Sequence, residues 1–372
     1  MGKFFIAVCM LLGTIIGAGI LGIPYVVSKS GFPIGVLHLL GIGILVALIM
    51  LYLGEIALRT KKEMHLPGYA EKYLGKKGRI LMFIALAFGI YSAILAYLIG
   101  EGGSISYLIF GATQHHLITI LIFWVVLSFL LYLDFKIFEG LETIAITFVF
   151  AMIISIVVFV SNKVHLENLS YVNKDYLFFP FGVILFAYLA FSIMPEIKRV
   201  LSEERKKLKS VIIAAYLIAF IIYVLFAFSV IGFRGFSTPE IATIALGKPF
   251  VILGILTMFT AYLALSRALI DTYHYDFKLS KTKSWLLTIL VPFVLYLILE
   301  FFQKAEFVKV LGIGGVISGG LTAILVLIIA KKAKEYGDLT PPYSMPYSII
   351  ISVLLSIIFI LGVITEIINI IK

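Results

Sequence analysis

Cysteine, charge and the motifs of catalysis are all scarce in this chain. The single cysteine, Cys9, excludes an internal disulfide. Charged residues make up 13% of the 372, too few to solvate a soluble globular protein of that length. No GxSxG elbow, Walker sequence, CxxC or HExxH occurs. The six histidines, His38, His65, His115, His116, His165 and His274, are scattered without metal-ligand spacing. An enzyme is therefore not expected, and neither is an organic cofactor or a resident metal.

Apolar side chains take the place of what is missing. Hydrophobic residues are 62% of the chain and mean hydropathy is +1.13, values that indicate an all-α polytopic membrane protein. The apolar runs are continuous rather than alternating, which argues against a transmembrane barrel. At about 20 residues per crossing, eleven segments are expected: 4–29, 33–58, 79–110, 116–133, 140–161, 177–199, 208–232, 249–275, 284–302, 306–331 and 346–371. Placing the N-terminus in the cytoplasm puts 21 Lys and Arg in the inner connections and 8 in the outer ones. That bias orients a plasma-membrane protein and sends its C-terminus outside. The net charge of +10 thus belongs to topology, and a nucleic-acid partner is not needed to explain it.

The connection 59–79 predicts a short interfacial helix that starts after Pro67 and ends at Gly75. The Pro-rich stretch 333–346 sets the last segment apart. It suggests a ten-helix core over 1–332 and a peripheral eleventh helix over 346–372. The core divides into two halves of five, 1–161 and 177–332. Halves with an odd number of crossings run oppositely through the bilayer, a common transporter plan.

Two segments read as interrupted. Residues 13–24, GTIIGAGILGIP, gather Gly17, Ala18, Gly19 and Gly22 ahead of Pro24 in mid-segment. Close packing of a neighbouring helix is one reading of such small residues; a helix opened within the bilayer is the other. The corresponding segment of the second half, FFPFGVILFAYLAFSIMPEIKRVL, is punctuated by Pro180, Gly182 and Pro195. Two breaks at matching places favour the open-helix reading.

An opened helix exposes N–H groups at one broken end and C=O groups at the other. The N–H groups of Ala18, Gly19 and Ile20 then suit a carboxylate. The carbonyls of Gly13, Ile15 and Ile16 suit an ammonium or a metal cation, and Gly17 allows close approach to the backbone. The second break, at Phe186, Ala187, Tyr188 and Leu189, adds carbonyls, with Phe186, Tyr188 and Phe191 as candidate walls.

Charges within the spans are the other candidates. Glu101 lies among Gly100, Gly102 and Gly103 in the third segment, where desolvation would let a carboxyl carry a proton near neutral pH; reaching water at the interface is the plainer alternative. Arg267 and Asp271 have the i,i+4 spacing of an ion pair. Thr257 and Thr260 lie near the bilayer middle and could offer oxygens to sodium, although Ala261 withholds a second adjacent hydroxyl and such threonines commonly bond their own helix.

These residues carry a resemblance. GTIIGAGILGIPY, from Gly13, resembles the first helix of the amino acid/auxin permeases and the related hydroxy/aromatic amino acid permeases. FPFGVILFAYLAFSIMPEIKRVL resembles their sixth helix and FTAYLALSRALIDTYHYDFKLSK their eighth. These families lie in the amino acid-polyamine-organocation superfamily, with the leucine-transporter-like fold of five plus five inverted helices. The resemblance implies a substrate carboxylate at Ala18, Gly19 and Ile20, and an amine near the carbonyls of Ile15 and of Phe186–Leu189. It also implies a possible sodium site at Gly13, Ile16, Thr257 and Thr260, which the departure at Ala261 weakens. The expectation is a secondary active transporter of neutral, including aromatic, amino acids, working by alternating access. Its coupling ion is expected to be H+, with Na+ as the alternative. A non-transporting amino acid sensor on the same fold is the rival, and would bind without flux.

Overall fold

The computed structural model describes residues 2–17, 19–133 and 141–371; for 141–149, 276, 351, 367 and 369–371 it describes the backbone alone. Ala18 of the expected cradle lies outside the described residues, as do Lys136 and Lys372 of the charge pattern. The regular structure among the described residues is helical.

The first segment forms two helices, α1 (Lys3–Ile15) and α2 (Gly19–Ser30), bent 57° to one another. Gly31 turns the chain into α3 (Phe32–Arg59) with φ +96°, and a Cβ there would stand 2.2 Å from the Tyr171 carbonyl oxygen, so only glycine fits. The expected interfacial helix is present and ends where expected: Gly75 (φ 73°, ψ −170°) leaves helical geometry and kinks the chain before the third span, and the two helices on either side of it are labelled together as α4 (Leu66–Phe110).

The chain continues through α5 (His116–Tyr132), α6 (Leu141–Val160) and the short α7 (Glu167–Ser170). The sixth segment is again two helices, α8 (Phe181–Tyr188) and α9 (Met194–Val200). Then come α10 (Leu208–Arg234), α11 (Lys248–Asp271) and α12 (Lys281–Phe301). The tenth segment is split by a π turn at Gly315–Gly319 into α13 (Phe307–Gly314) and α14 (Gly320–Tyr336), and α15 (Ile349–Ile371) closes the chain. Among the described residues, with α8–α9 and α13–α14 each counted as one, seven helices are long and apolar enough to cross a membrane, and the bent pair α1–α2 raises the number to eight. Shorter apolar stretches at His116–Tyr132, Phe150–Val160 and Ser352–Glu366 stand where the remaining expected segments lie.

α10 packs on α1, α2, α3 and α6, while α8 is wedged among α2, α3 and α13. Peripheral helices turn apolar side chains outward: Val125 and Val126 on α5, Leu290, Val294 and Leu297 on α12, Leu354, Ile358 and Leu361 on α15. Such faces require hydrocarbon rather than water around them.

The connection from α14 to α15 is strapped to the end of α3. The buried Glu55 carboxylate accepts from Lys334 Nζ (2.7 Å), Arg59 Nε (2.8 Å), the Met345 N–H (2.8 Å) and Ser344 Oγ (2.9 Å). Nearby, the Tyr52 hydroxyl donates to the Pro346 carbonyl at 2.6 Å and the Tyr343 hydroxyl to that of Leu51 at 2.8 Å. The Pro-rich joint is therefore an anchored strap.

Candidate functional site

The two interrupted segments meet in the core. α1 stops because Ile16 leaves helical geometry (φ −85°, ψ 66°), and the Gly17 N–H folds back to the Ile15 carbonyl at 2.9 Å. α8 stops where Leu189 (ψ 118°) and Ala190 (φ −145°) leave it. Pro195 contributes to this second break. Without an N–H it cannot bond back to Phe191, so the chain tightens into a 3-10 turn over Phe191–Ile193 before α9 begins.

Both helices thus present C-terminal carbonyls that their own backbone does not fully satisfy. The hydroxyl of Tyr223, on α10, lies 2.8 Å from the Ile15 carbonyl oxygen and 2.7 Å from that of Ala187. Tyr216, two turns earlier on the same face, donates to the Tyr188 carbonyl at 3.1 Å. The Tyr188 ring stacks on Tyr216 (centroids 5.9 Å apart) and meets Tyr223 edge-on at 5.1 Å. Its own hydroxyl is buried and has no hydrogen-bond partner among the described residues. Two helix C-termini, each carrying partial negative charge, therefore converge on one buried phenol.

The remaining candidates distribute around this point. A Cβ on Gly17 would stand 3.7 Å from the Tyr97 hydroxyl of α4, and one on Gly19 only 2.8 Å from the Ala187 Cα. The Ile20 N–H, expected to be free, donates to the Gly17 carbonyl at 3.3 Å. Phe186 and Leu189 face the glycine-rich tenth segment: a Cβ on Gly314 would lie 3.5 Å from Phe186 Cδ2, and one on Gly319 2.9 Å from Leu189 Cδ2. Close packing and helix opening are thus both present, and the glycines serve each.

The threonines do not face the break with free hydroxyls. Thr257 bonds the Leu253 carbonyl at 2.9 Å, and Thr260 bonds those of Leu256 (3.1 Å) and Thr257 (3.0 Å). α11 packs chiefly on α4, α6 and α12. Arg267 and Asp271 pair at 3.2 Å as their spacing predicts. Among the described residues, no group of three or more His, Cys, Asp and Glu could hold a metal ion.

Glu101 does not reach water. It is fully buried, with the Phe259 backbone close by, and among the described residues neither carboxylate oxygen has a partner of full hydrogen-bond geometry. Its neighbours Gly100 and Gly102 admit Met258 and Phe307 on one side and Ile120 on the other. It stands one turn along α4 from Tyr97, on the same helix face, and Tyr97 reaches Gly17.

Sequence reasoning missed Tyr97, Tyr216 and Tyr223. The available signal was weak: two tyrosines seven residues apart, and a third four residues before Glu101, in otherwise aliphatic runs.

Comparison with known proteins gives the chain's family. The chain is 32% identical over 102 residues to tyrosine-specific transport system 1 of Haemophilus influenzae, covering 27% of this chain and 26% of the relative. It is 32% identical over 187 residues to tyrosine-specific transport system 2 of that organism, covering 47% and 44%. These matches therefore span about a quarter and less than half of the two relatives. Glutamine transporter 2 of Aliivibrio fischeri is 23% identical over 354 residues, 90% of each chain. The family model of tryptophan/tyrosine permeases matches residues 1–246, a stretch that includes both broken segments and Tyr223. On that match the chain belongs to the tryptophan/tyrosine permease family.

Proposed function

We propose that this protein is a secondary active transporter that takes up neutral amino acids, with aromatic ones as its preferred class, across the plasma membrane. The observation that carries the reading is the meeting of the two broken segments, with the Ile15 and Ala187 carbonyls converging on one point. Carbonyls at two helix C-termini attract an ammonium, and the start of α2 at Gly19 offers backbone N–H groups to a carboxylate. One opened helix thereby grips both ends of a zwitterion. Ile15, Ala187 and Tyr188 form the amine side, and Gly17, Ala18, Gly19 and Ile20 the carboxylate side, with the Ile20 N–H exchanging its long bond to the Gly17 carbonyl for the substrate. The surrounding tyrosines suit an aromatic side chain.

The fold proposed is the leucine-transporter-like arrangement, with residues 1–161 and 177–332 as inverted halves and 346–372 as a peripheral helix. The N-terminus lies in the cytoplasm and the C-terminus outside. Broken segments at the first position of each half support this plan. Transport follows alternating access, with one half moving against the other around the breaks.

The coupling ion is H+, carried by Glu101. A fully buried carboxyl with no charged partner among the described residues, one turn from the tyrosine that reaches Gly17, supports this choice. Sodium is the alternative, through Gly13, Ile16, Thr257 and Thr260; it is disfavoured because α11, which bears the threonines, packs chiefly on α4, α6 and α12 rather than on α1.

The test is uptake into proteoliposomes of labelled tyrosine, tryptophan, phenylalanine and glutamine, with glutamine included because of the relative that covers the chain most fully. An inward proton gradient should drive accumulation of the aromatic amino acids. Binding without flux would make the protein a sensor. Uptake indifferent to proton and sodium gradients would leave facilitated exchange.

A further inference from the structure

Around the Tyr223 hydroxyl the count of hydrogens and acceptors does not balance. Two carbonyl oxygens lie within 2.8 Å of a phenol that carries one proton. The residue is fully buried, and its ring is held edge-on against Tyr188. The phenol thus satisfies one carbonyl at a time, or both weakly. A primary ammonium has three donors and a full positive charge, and answers the same acceptors better.

The position of the hydroxyl is as informative as its bonds. Ile15 ends the first half of one broken span and Ala187 lies at the end of the first half of the other. One side chain of α10 therefore bridges the two breaks. Without the hydroxyl the Ala187 carbonyl would lose the donor described for it and the Ile15 carbonyl would keep only the Gly17 N–H, so the broken ends would carry uncompensated partial charge. A carrier that moves without cargo needs some group to stand in that place.

We propose that the Tyr223 hydroxyl is the built-in stand-in for the substrate ammonium. It holds the Ile15 and Ala187 carbonyls during the return of the unloaded carrier and yields them when an amino acid binds. This inference rests on the amino acid transport reading above and adds a role that reading does not contain. Tyr216 serves as the internal comparison. It lies on the same face of α10 but donates to one carbonyl, that of Tyr188, and bridges nothing.

The distinction between loaded and unloaded return makes the proposal measurable. Net uptake into empty vesicles requires the carrier to come back unloaded. Exchange against amino acid trapped inside does not. Tyr223→Phe keeps the ring and removes the hydroxyl, so net uptake of labelled tyrosine should fall about tenfold relative to exchange. Both rates are taken on one proteoliposome preparation of the full chain, so their ratio does not depend on how much protein is folded. Tyr223→Leu is the second variant should the Phe variant not fold, and the same rise in the exchange-to-uptake ratio is expected. Tyr216→Phe should move both rates together.

An unchanged ratio in a folded, transporting Tyr223 variant overturns the stand-in role and leaves the transport reading intact. A raised KM for exchange with an unaltered ratio does the same and makes Tyr223 a direct substrate ligand. Absence of flux in the unsubstituted protein, across the amino acids tested, overturns the transport reading itself.

Discussion

Gly19 and Ala187 touch backbone to backbone: a Cβ on Gly19 would stand 2.8 Å from the Ala187 Cα and 3.0 Å from its Cβ. The neighbour is main chain, which cannot rotate aside. Gly19→Ala should therefore cost about 1–3 kcal/mol by overpacking, read as a fall in the thermal midpoint of the purified protein. Gly19→Val should cost more. An unchanged midpoint for both would mean that the two broken spans do not meet as described.

Glu101 is fully buried among apolar neighbours, with little besides the nearby Phe259 backbone to offset a charge. Glu101→Gln keeps the shape of the side chain and removes its titration. The variant should fold and bind substrate but lose the acceleration of uptake by an inward proton gradient. Its pH profile of transport should flatten. A profile that matches the unsubstituted protein would remove Glu101 from proton coupling.

Thr257 and Thr260 give a sodium test. They sit on α11, which packs chiefly on α4, α6 and α12 rather than on α1, so Thr257→Val and Thr260→Val should leave uptake nearly intact and independent of sodium. Sodium-dependent uptake abolished by either substitution would reverse the choice of coupling ion.

The Glu55 strap predicts a large stability effect away from the breaks. Glu55 has a side chain only 3% exposed and holds both Arg59 and Lys334. Its removal strands two partly buried cations, so Glu55→Ala should destabilise by about 3–5 kcal/mol. The Arg267–Asp271 pair is 44% and 40% exposed. Asp271→Ala should cost less than about 1 kcal/mol, and thermal unfolding of the two variants side by side checks the contrast.

Asp338 gives the strap a pH dependence. Its carboxylate accepts from Lys72 and from the Lys61 N–H (2.9 Å), which hold it below the usual carboxylate range. A depressed folded value means that the stabilisation is complete above the unfolded value of about 3.9 and is lost as pH falls through the folded one. The midpoint difference between the unsubstituted protein and Asp338→Asn should be constant above about pH 5 and shrink below about pH 4. A difference that grows on acidification would contradict this pairing.

Several elements were legible from local chemistry alone. The glycine cluster before Pro24 marked the gap between α1 and α2, and Pro195 marked the restart at α9, because each residue acts on its own few neighbours. Gly75 marked the end of the interfacial helix by the same logic. The Arg267–Asp271 pair followed from i,i+4 spacing. What spacing could not show was that Glu55 gathers groups from residues 59, 334, 344 and 345.

The sequence by itself determined that this chain lies in a bilayer and where two of its spans open, since hydropathy, glycine and proline are local properties of the chain. Only the tertiary structure decided that Tyr223 bridges Ile15 and Ala187. The segment bearing Tyr223 is apolar nearly all round, so its pattern leaves the rotation about its own axis undetermined. That rotation, set by packing against α1, α2 and α3, aims the hydroxyl at two carbonyls that belong to different halves of the chain.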